Sequence, residues 1–348
     1  MITLTIAIFC LASLLSFWRA EMKNAKSFWW ALAGLLLFLL AAFRSGDAVR
    51  DYDTFVEIYN NIAQSSIEIS FVIIAWIVRH IFFDNVIFVF IIFAALGVSL
   101  KLKAIKTLTS LGFLSLVIYI SNFYILHELT QIRAGVAAGF LLLSIKPIYE
   151  RDFRKFLFFS ICAVLFHYSA LLIFLLWFFK GNSINKYIYA TTIPLACVVY
   201  FFNINLVELF IPFIPIEHIQ QRFTIYTELQ KQEIGGFNEI NVFNYVFLAK
   251  CLIYYVLLWK SDLLKKQNKY APLLLKIQAL SLTSFVLFAA MPVFAFRMSE
   301  LFGIVEIILI PFLYYVFKPR SLSITAVVFI GLCILLINIF HSDLIIST

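Results

Sequence analysis

Charge is what this chain has least of: Asp, Glu, Lys and Arg make up 13% of its 348 residues, while 63% are hydrophobic. An apolar excess of that size, with 40 Phe in it, cannot be hidden in one water-soluble core. A soluble enzyme or binding module is thereby excluded, and an all-α polytopic membrane protein is expected. Long polar stretches and internal repeats are also missing, so a single integral membrane domain over residues 1–348 is the simplest organisation. The five cysteines, Cys10, Cys162, Cys197, Cys251 and Cys333, lie inside apolar runs without paired spacing, which gives no disulfide framework and no metal site. A Gly-rich phosphate loop, HExxH, GxSxG and a nucleotide-sugar type carboxylate pair are all absent, which argues against a nucleotide-driven pump or a soluble-type hydrolase. The first run, Ile2–Phe17, lacks a basic region before it and a small-residue cleavage site after it, so it is expected to stay as a span.

What the chain does have is apolar runs of membrane-crossing length. They are Ile2–Trp18, Ser27–Phe43, Val86–Leu100, Thr109–Leu126, Ala134–Tyr149, Phe153–Phe166, Ser169–Phe179, Tyr187–Phe202, Val242–Trp259, Ala271–Met291, Ser299–Phe317 and Ser323–Phe340, about twelve crossings. Ile69–Phe83 is expected to be re-entrant or in-plane, because a crossing there would break the lysine pattern downstream. Two external loops result, at about 44–68 and 203–241.

The basic residues sort by type across this threading. Lysine-rich loops on the cytoplasmic side take 15 of the 17 lysines, Lys101 among them, with Arg19, Arg151, Arg154 and Arg320. Arg44, Arg50, Arg79, Arg133, Arg222 and Arg297 stay outside or within the membrane. Lysine is the ordinary topology signal, whereas a guanidinium is a rigid fork that grips phosphate oxygens in pairs. Arginines kept where lysine is avoided suggest an anionic ligand. The net charge of +8 carries no nucleic-acid reading, because it sits mostly in short loops that orient helices.

Several clusters could carry chemistry. His127, Glu128, Gln131 and Arg133 lie where two hydrophobic runs meet, and the small residues Ala134, Gly135, Ala137, Ala138 and Gly139 behind them allow close helix approach. His167 stands at the next external turn, as a hydrogen-bonded structural residue or as a base. Arg297 and Glu300 follow Pro292 one turn apart and could form a salt bridge or face a ligand. Arg44, Arg50, Asp51 and Asp53 crowd the first external loop, whose spacing fits no metal motif. Arg222 and Tyr226 put a guanidinium beside an aromatic in the second.

In their order and spacing these pieces resemble the EpsG-like, Wzy-type bacterial polysaccharide polymerases. The resemblance rests on Arg44 followed by Asp51-Tyr52 and Phe55, on Gln131-Ile132-Arg133 with small residues behind, on Phe166-His167-Tyr168-Ser169-Ala170-Leu171, and on Arg297 in a late helix. The extra Asp53 and Arg50 leave open which external aspartate corresponds, and Ala134 stands where such proteins often have a second Gln. The resemblance implies a GT-C-like membrane glycosyltransferase of the bacterial inner membrane. It would polymerise oligosaccharide repeat units on undecaprenyl diphosphate at the outer, periplasmic face, for O-antigen (lipopolysaccharide), capsule or exopolysaccharide. His167 would be the leading base, ahead of Glu128 and Asp51. Arg133, Arg297 and Arg222, assisted by Arg44 or Arg50, would bind diphosphate without metal or other cofactor, with Gln131 and Tyr226 beside them. The expected partners are lipid-linked oligosaccharides, the bilayer and a chain-length regulator protein. The competing classes are a lipid-linked oligosaccharide flippase or transporter and an O-antigen ligase. A flippase would carry charge deep in a cavity and show pseudo-repeats, which are not evident here.

Overall fold

The computed structural model describes residues 1–17, 23–46, 49–62, 67–202, 204–205, 208, 225, 228, 240–342 and 344–345. Among them there is no strand, only an isolated antiparallel bridge between Val49 and Ile345. The chain forms two compact units, residues 1–180 with 306–348, and residues 181–305.

The first unit begins with α1 (Ile2–Phe17), α2 (Lys23–Ala42), the short α3 (Tyr52–Asn60), α4 (Ile69–Ile81) and α5 (Ile87–Leu108). Next, α6 (Gly112–Ile118) continues without a break into a π-helical stretch, Tyr119–Thr130. After it come α7 (Ile132–Glu150), α8 (Phe153–Phe166) and a 3-10 helix, Tyr168–Phe178. In the second unit are α9 (Lys186–Phe201), α10 (Tyr245–Trp259), α11 (Ser261–Gln267), α12 (Ala271–Leu287) and α13 (Pro292–Gly303). The chain then returns to the first unit with α14 (Glu306–Leu309), a 3-10 turn (Ile310–Phe312), α15 (Leu313–Val316) and α16 (Arg320–Phe340).

Five helices among the described residues are long and apolar enough to cross a membrane: Ala25–Ala42, Ile87–Leu108, Gly112–Thr130, Ile132–Glu150 and Arg320–Phe340. By length and composition these five, with the shorter apolar helices, mark a membrane protein. The thirteen residues of α4 rise about 20 Å, short of the roughly 30 Å hydrocarbon core.

Two helix boundaries differ from the sequence reading. The helix after Ile87 runs on to Leu108, so Lys101 lies inside it with a fully buried side chain and is not a loop residue. The run after Gly112 stays helical through Thr130 by widening its turns, with Gln131 N–H bonded back to the Leu126 carbonyl at 2.8 Å. His127 and Glu128 are therefore enclosed in a helix end and do not stand at an open junction. Wide π turns recur at functional places, because they shift side chains out of helical register.

A cluster of buried residues from α3, α4, α5 and α7 forms the platform for the site. Phe55, Phe71, Phe90, Phe93, Ile132 and Val136 belong to it, with Phe166 packed against it. Its rings interlock: Phe71 meets Phe93 at 5.8 Å, and Phe93 meets Phe166 edge to face at 5.8 Å. Phe166 immediately precedes His167, so the platform fixes where the imidazole emerges. Below it, Arg79 donates to the Tyr59 carbonyl, and the Tyr59 hydroxyl bonds Asp84 at 2.5 Å, tying α3 to the α4–α5 turn. That accounts for Arg79 as a structural group.

The second unit is held by its own polar ties. Tyr254 and Tyr255 donate to the Tyr189 and Ala190 carbonyls at 3.1 and 3.0 Å, joining α10 to α9. Ser281 of α12 donates to the Ser299 carbonyl of α13 at 2.7 Å.

Candidate functional site

Three chain segments meet on one carboxylate. Glu68 is the N-cap of α4, in an extended conformation, and its carbonyl accepts the Phe71 N–H at 3.0 Å. Its side chain makes no cap bond and is free for other work. One oxygen, Oε1, lies 2.8 Å from His167 Nδ1, and the other, Oε2, accepts from Arg133 Nη1. His167 is the C-cap of α8, extended between two helices, with its own N–H on the Ala163 carbonyl at 3.0 Å. Arg133 sits in the first turn of α7, and its guanidinium lies 5.6 Å from the Phe55 ring centre.

The partners decide the charge state of Glu68. Burial by itself would raise the Glu68 carboxyl, but the His167 hydrogen bond and the Arg133 charge outweigh it and hold the group at about 2, against an ordinary 4.5. The carboxylate is thus ionised and can only accept, so His167 Nδ1 carries the proton. In the neutral ring Nε2 then keeps its lone pair. Glu68 is 5% exposed at its side chain, whereas His167 is 17% and Arg133 24% exposed. The acid is sealed beneath its partners, and the two groups that could meet a substrate are the ones that reach solvent.

Beside the triad lies a second cluster. The carboxylate of Glu128 pairs with Lys101 and accepts from the Tyr119 hydroxyl at 2.9 Å, and Lys101 also donates to the Gly135 carbonyl at 2.8 Å. Two glycines make this possible. A Cβ at Gly97 would fall 1.9 Å from Glu128 Oε2, and one at Gly135 would fall 2.7 Å from the His127 carbonyl oxygen. Arg44 Nη1 donates to the carbonyls of Glu128 and Leu129 at 2.5 and 3.0 Å, while its guanidinium covers the Phe90 ring at 4.2 Å. It closes the C-terminal end of the π-helical stretch, where carbonyls lack helical partners. Burial lowers its pKa from 12.5 to about 10, which leaves it charged at neutral pH.

The structure therefore brings His167 and Arg133 together on Glu68, and places Glu128 with Arg44 in an enclosed cluster. Gln131 is half-buried between the π-helical stretch and α7. Asp51 is the N-cap of α3 without a side-chain cap bond, and Arg50 beside it is exposed. Arg297 is exposed in the second turn of α13, within the second unit. Arg222 and Tyr226 lie outside the described residues. No group of three or more His, Cys, Asp or Glu is gathered in metal-binding fashion among the described residues.

Sequence reasoning missed Glu68. Its partners are 65 and 99 residues away, so no local spacing reveals them. The available signal was an acid directly before the apolar run of α4, a place where an ionised side chain needs a partner.

No curated protein and no solved structure matches the chain. The EpsG family matches residues 27–346, a stretch that takes in the triad, the second unit and most of the first. This apolar all-helical chain, with its arginine and histidine held on one buried carboxylate, belongs to the EpsG family of polysaccharide-polymerase-like membrane proteins.

Proposed function

We propose that this protein is a membrane glycosyltransferase that joins oligosaccharide repeat units carried on undecaprenyl diphosphate at the outer face of the bacterial inner membrane. The carrying observation is the convergence of His167 and Arg133 on Glu68. Glu68 fixes the proton on Nδ1, so Nε2 accepts the proton of the acceptor hydroxyl as its oxygen attacks the anomeric carbon. The bond from that carbon to the diphosphate oxygen breaks, and its electron pair leaves with the diphosphate. One proton passes from hydroxyl to His167 and on to water, and the net reaction moves a glycosyl group from phosphate oxygen to hydroxyl oxygen.

The leaving diphosphate gains charge in the transition state. Arg133 uses one nitrogen on Glu68 and has further donors in its fork to meet that charge, without a metal. Arg50 is proposed as a further diphosphate group, with Gln131 contacting sugar or phosphate and Asp51 as the reserve base; Arg297, Arg222 and Tyr226 of the second unit are proposed as substrate-binding residues in their own right. Glu128 and Arg44 are assigned to holding this frame, because both are enclosed and Arg44 Nη1 is bonded to the Glu128 and Leu129 carbonyls. A chain-length regulator remains the proposed protein partner.

The test is reconstitution of the purified chain in vesicles with an undecaprenyl-diphosphate-linked repeat unit and a chelator. A ladder of products spaced by one repeat is expected, unchanged by the chelator. Translocation without a ladder would establish the flippase instead, and a ladder abolished by the chelator would refute metal independence.

A further inference from the structure

A second polar site lies in the first unit, at the other end of α5 from the triad. From Phe93, which packs beside His167's neighbour Phe166, the helix advances about 20 Å to Lys106. There the ends of α1, α2, α5, α6, α15 and α16 surround a cavity of about 500 Å³. Three cations line it, Lys26, Lys106 and Arg320, with the hydroxyls of Ser27, Thr109 and Ser110, and no acidic side chain is among its described lining. Two of the cations are laid over aromatic rings: Lys106 lies 5.5 Å from the Trp30 centroid, and Arg320 lies 5.4 Å from that of Tyr314. Topology requires only that a lysine be on the correct side. It does not require three cations from three helices to share one concavity.

We propose that this cavity is a binding site for a phosphate-bearing anion, and that the headgroup of an anionic phospholipid is its source. Three positive charges with hydroxyl donors suit a phosphate, and clustered cations at the ends of spanning helices are the usual form of such headgroup pockets. The flank is apolar and open to lipid: Leu14, Phe28 and Leu322 are 71%, 61% and 57% exposed, and Phe17 reaches from α1 into the lining. A headgroup can therefore sit among the cations while its acyl chains lie along α1 and α16. The site is independent of the glycosyl-transfer reading, because it shares no residue with the triad.

The full chain in neutral detergent, titrated with phosphatidylglycerol and read by native mass spectrometry, tests this. Each cation contributes about fivefold in affinity, so Lys26→Gln/Lys106→Gln/Arg320→Gln is expected to weaken binding by about a hundredfold. The control Arg154→Gln/Lys265→Gln/Lys266→Gln removes the same charge from positions that are exposed like Lys26, Lys106 and Arg320 but lie outside the cavity, and is expected to stay within about twofold of wild type. Equal losses in both variants, or no loss in the first, would overturn the site. Pyrophosphate separates the sources: displacement of the lipid at equal concentration would overturn the headgroup assignment in favour of a soluble phosphate, and retention of the lipid supports the headgroup. Should the triple variant not fold, Lys106→Gln alone is read, with a loss of about fivefold expected and wild-type affinity overturning the proposal.

Discussion

Glu68 and Glu128 each hold a cation and a ring-bearing partner, and they differ in what their partners have left over. Around Glu128 everything faces inward: Lys101 is fully buried, it also bonds the Gly135 carbonyl, and the Tyr119 hydroxyl completes the set. Around Glu68 only the carboxylate is sealed, while His167 and Arg133 keep an exposed edge. A fully buried pair can position neighbours but is closed off from a substrate. A buried acid under two partly exposed partners can tune groups that do meet one. The two clusters adjoin, since Lys101 reaches the first turn of α7, which carries Arg133. The enclosed pair thus sets the position of the open one.

The sharpest way to break this contrast is Lys101→Met, which removes the cation paired directly with the buried Glu128 carboxylate and is expected to cost about 3–5 kcal/mol of stability. Unfolding of the purified protein in denaturant reads it. A variant of wild-type stability but without activity would move Lys101 from the frame to the chemistry. Next in size, His167→Ala is expected to slow polymerisation by about a thousandfold with little change in melting temperature. A comparable loss of stability would make His167 a second structural group. Arg133→Lys keeps the charge and loses the fork, and a fall of about a hundredfold in turnover is expected in the reconstituted reaction. Near-normal product length would remove the diphosphate role.

The smallest effect sharpens the contrast through pH. Because the Glu68 carboxyl is held at about 2, below its ordinary 4.5, its stabilising contribution is complete above about pH 4.5 and disappears as pH falls through about 2. Glu68→Gln is expected to slow turnover by about tenfold, having lost the acceptor that orients His167. Its acid-unfolding curve should merge with that of the wild type toward pH 2. A constant gap between the two curves at every pH would show that Glu68 acts by packing and not by charge.

Much of the architecture was legible in the chain, and the reason is local. The apolar runs along α2, α5, α7 and α16 announce spanning helices, because only a helix satisfies its own backbone in lipid. Gln131-Ile132-Arg133 and Phe166-His167 were also visible, as polar residues at the ends of such runs. Lys101 was misread because it follows an apolar run and precedes Lys103 and Lys106, the local pattern of a loop. Its counter-charge is Glu128 on another helix, while α5 itself continues to Leu108.

By itself, then, the sequence determined that this is a helical membrane protein with arginine and histidine held at helix ends, since hydropathy and charge along the chain are local properties. Only the tertiary structure decided that Glu68 orients His167 and Arg133, that Glu128 and Arg44 face inward, and that Lys26, Lys106 and Arg320 share one cavity. Those facts depend on which buried charges find each other across distant helices, and packing fixes those partnerships where sequence spacing does not.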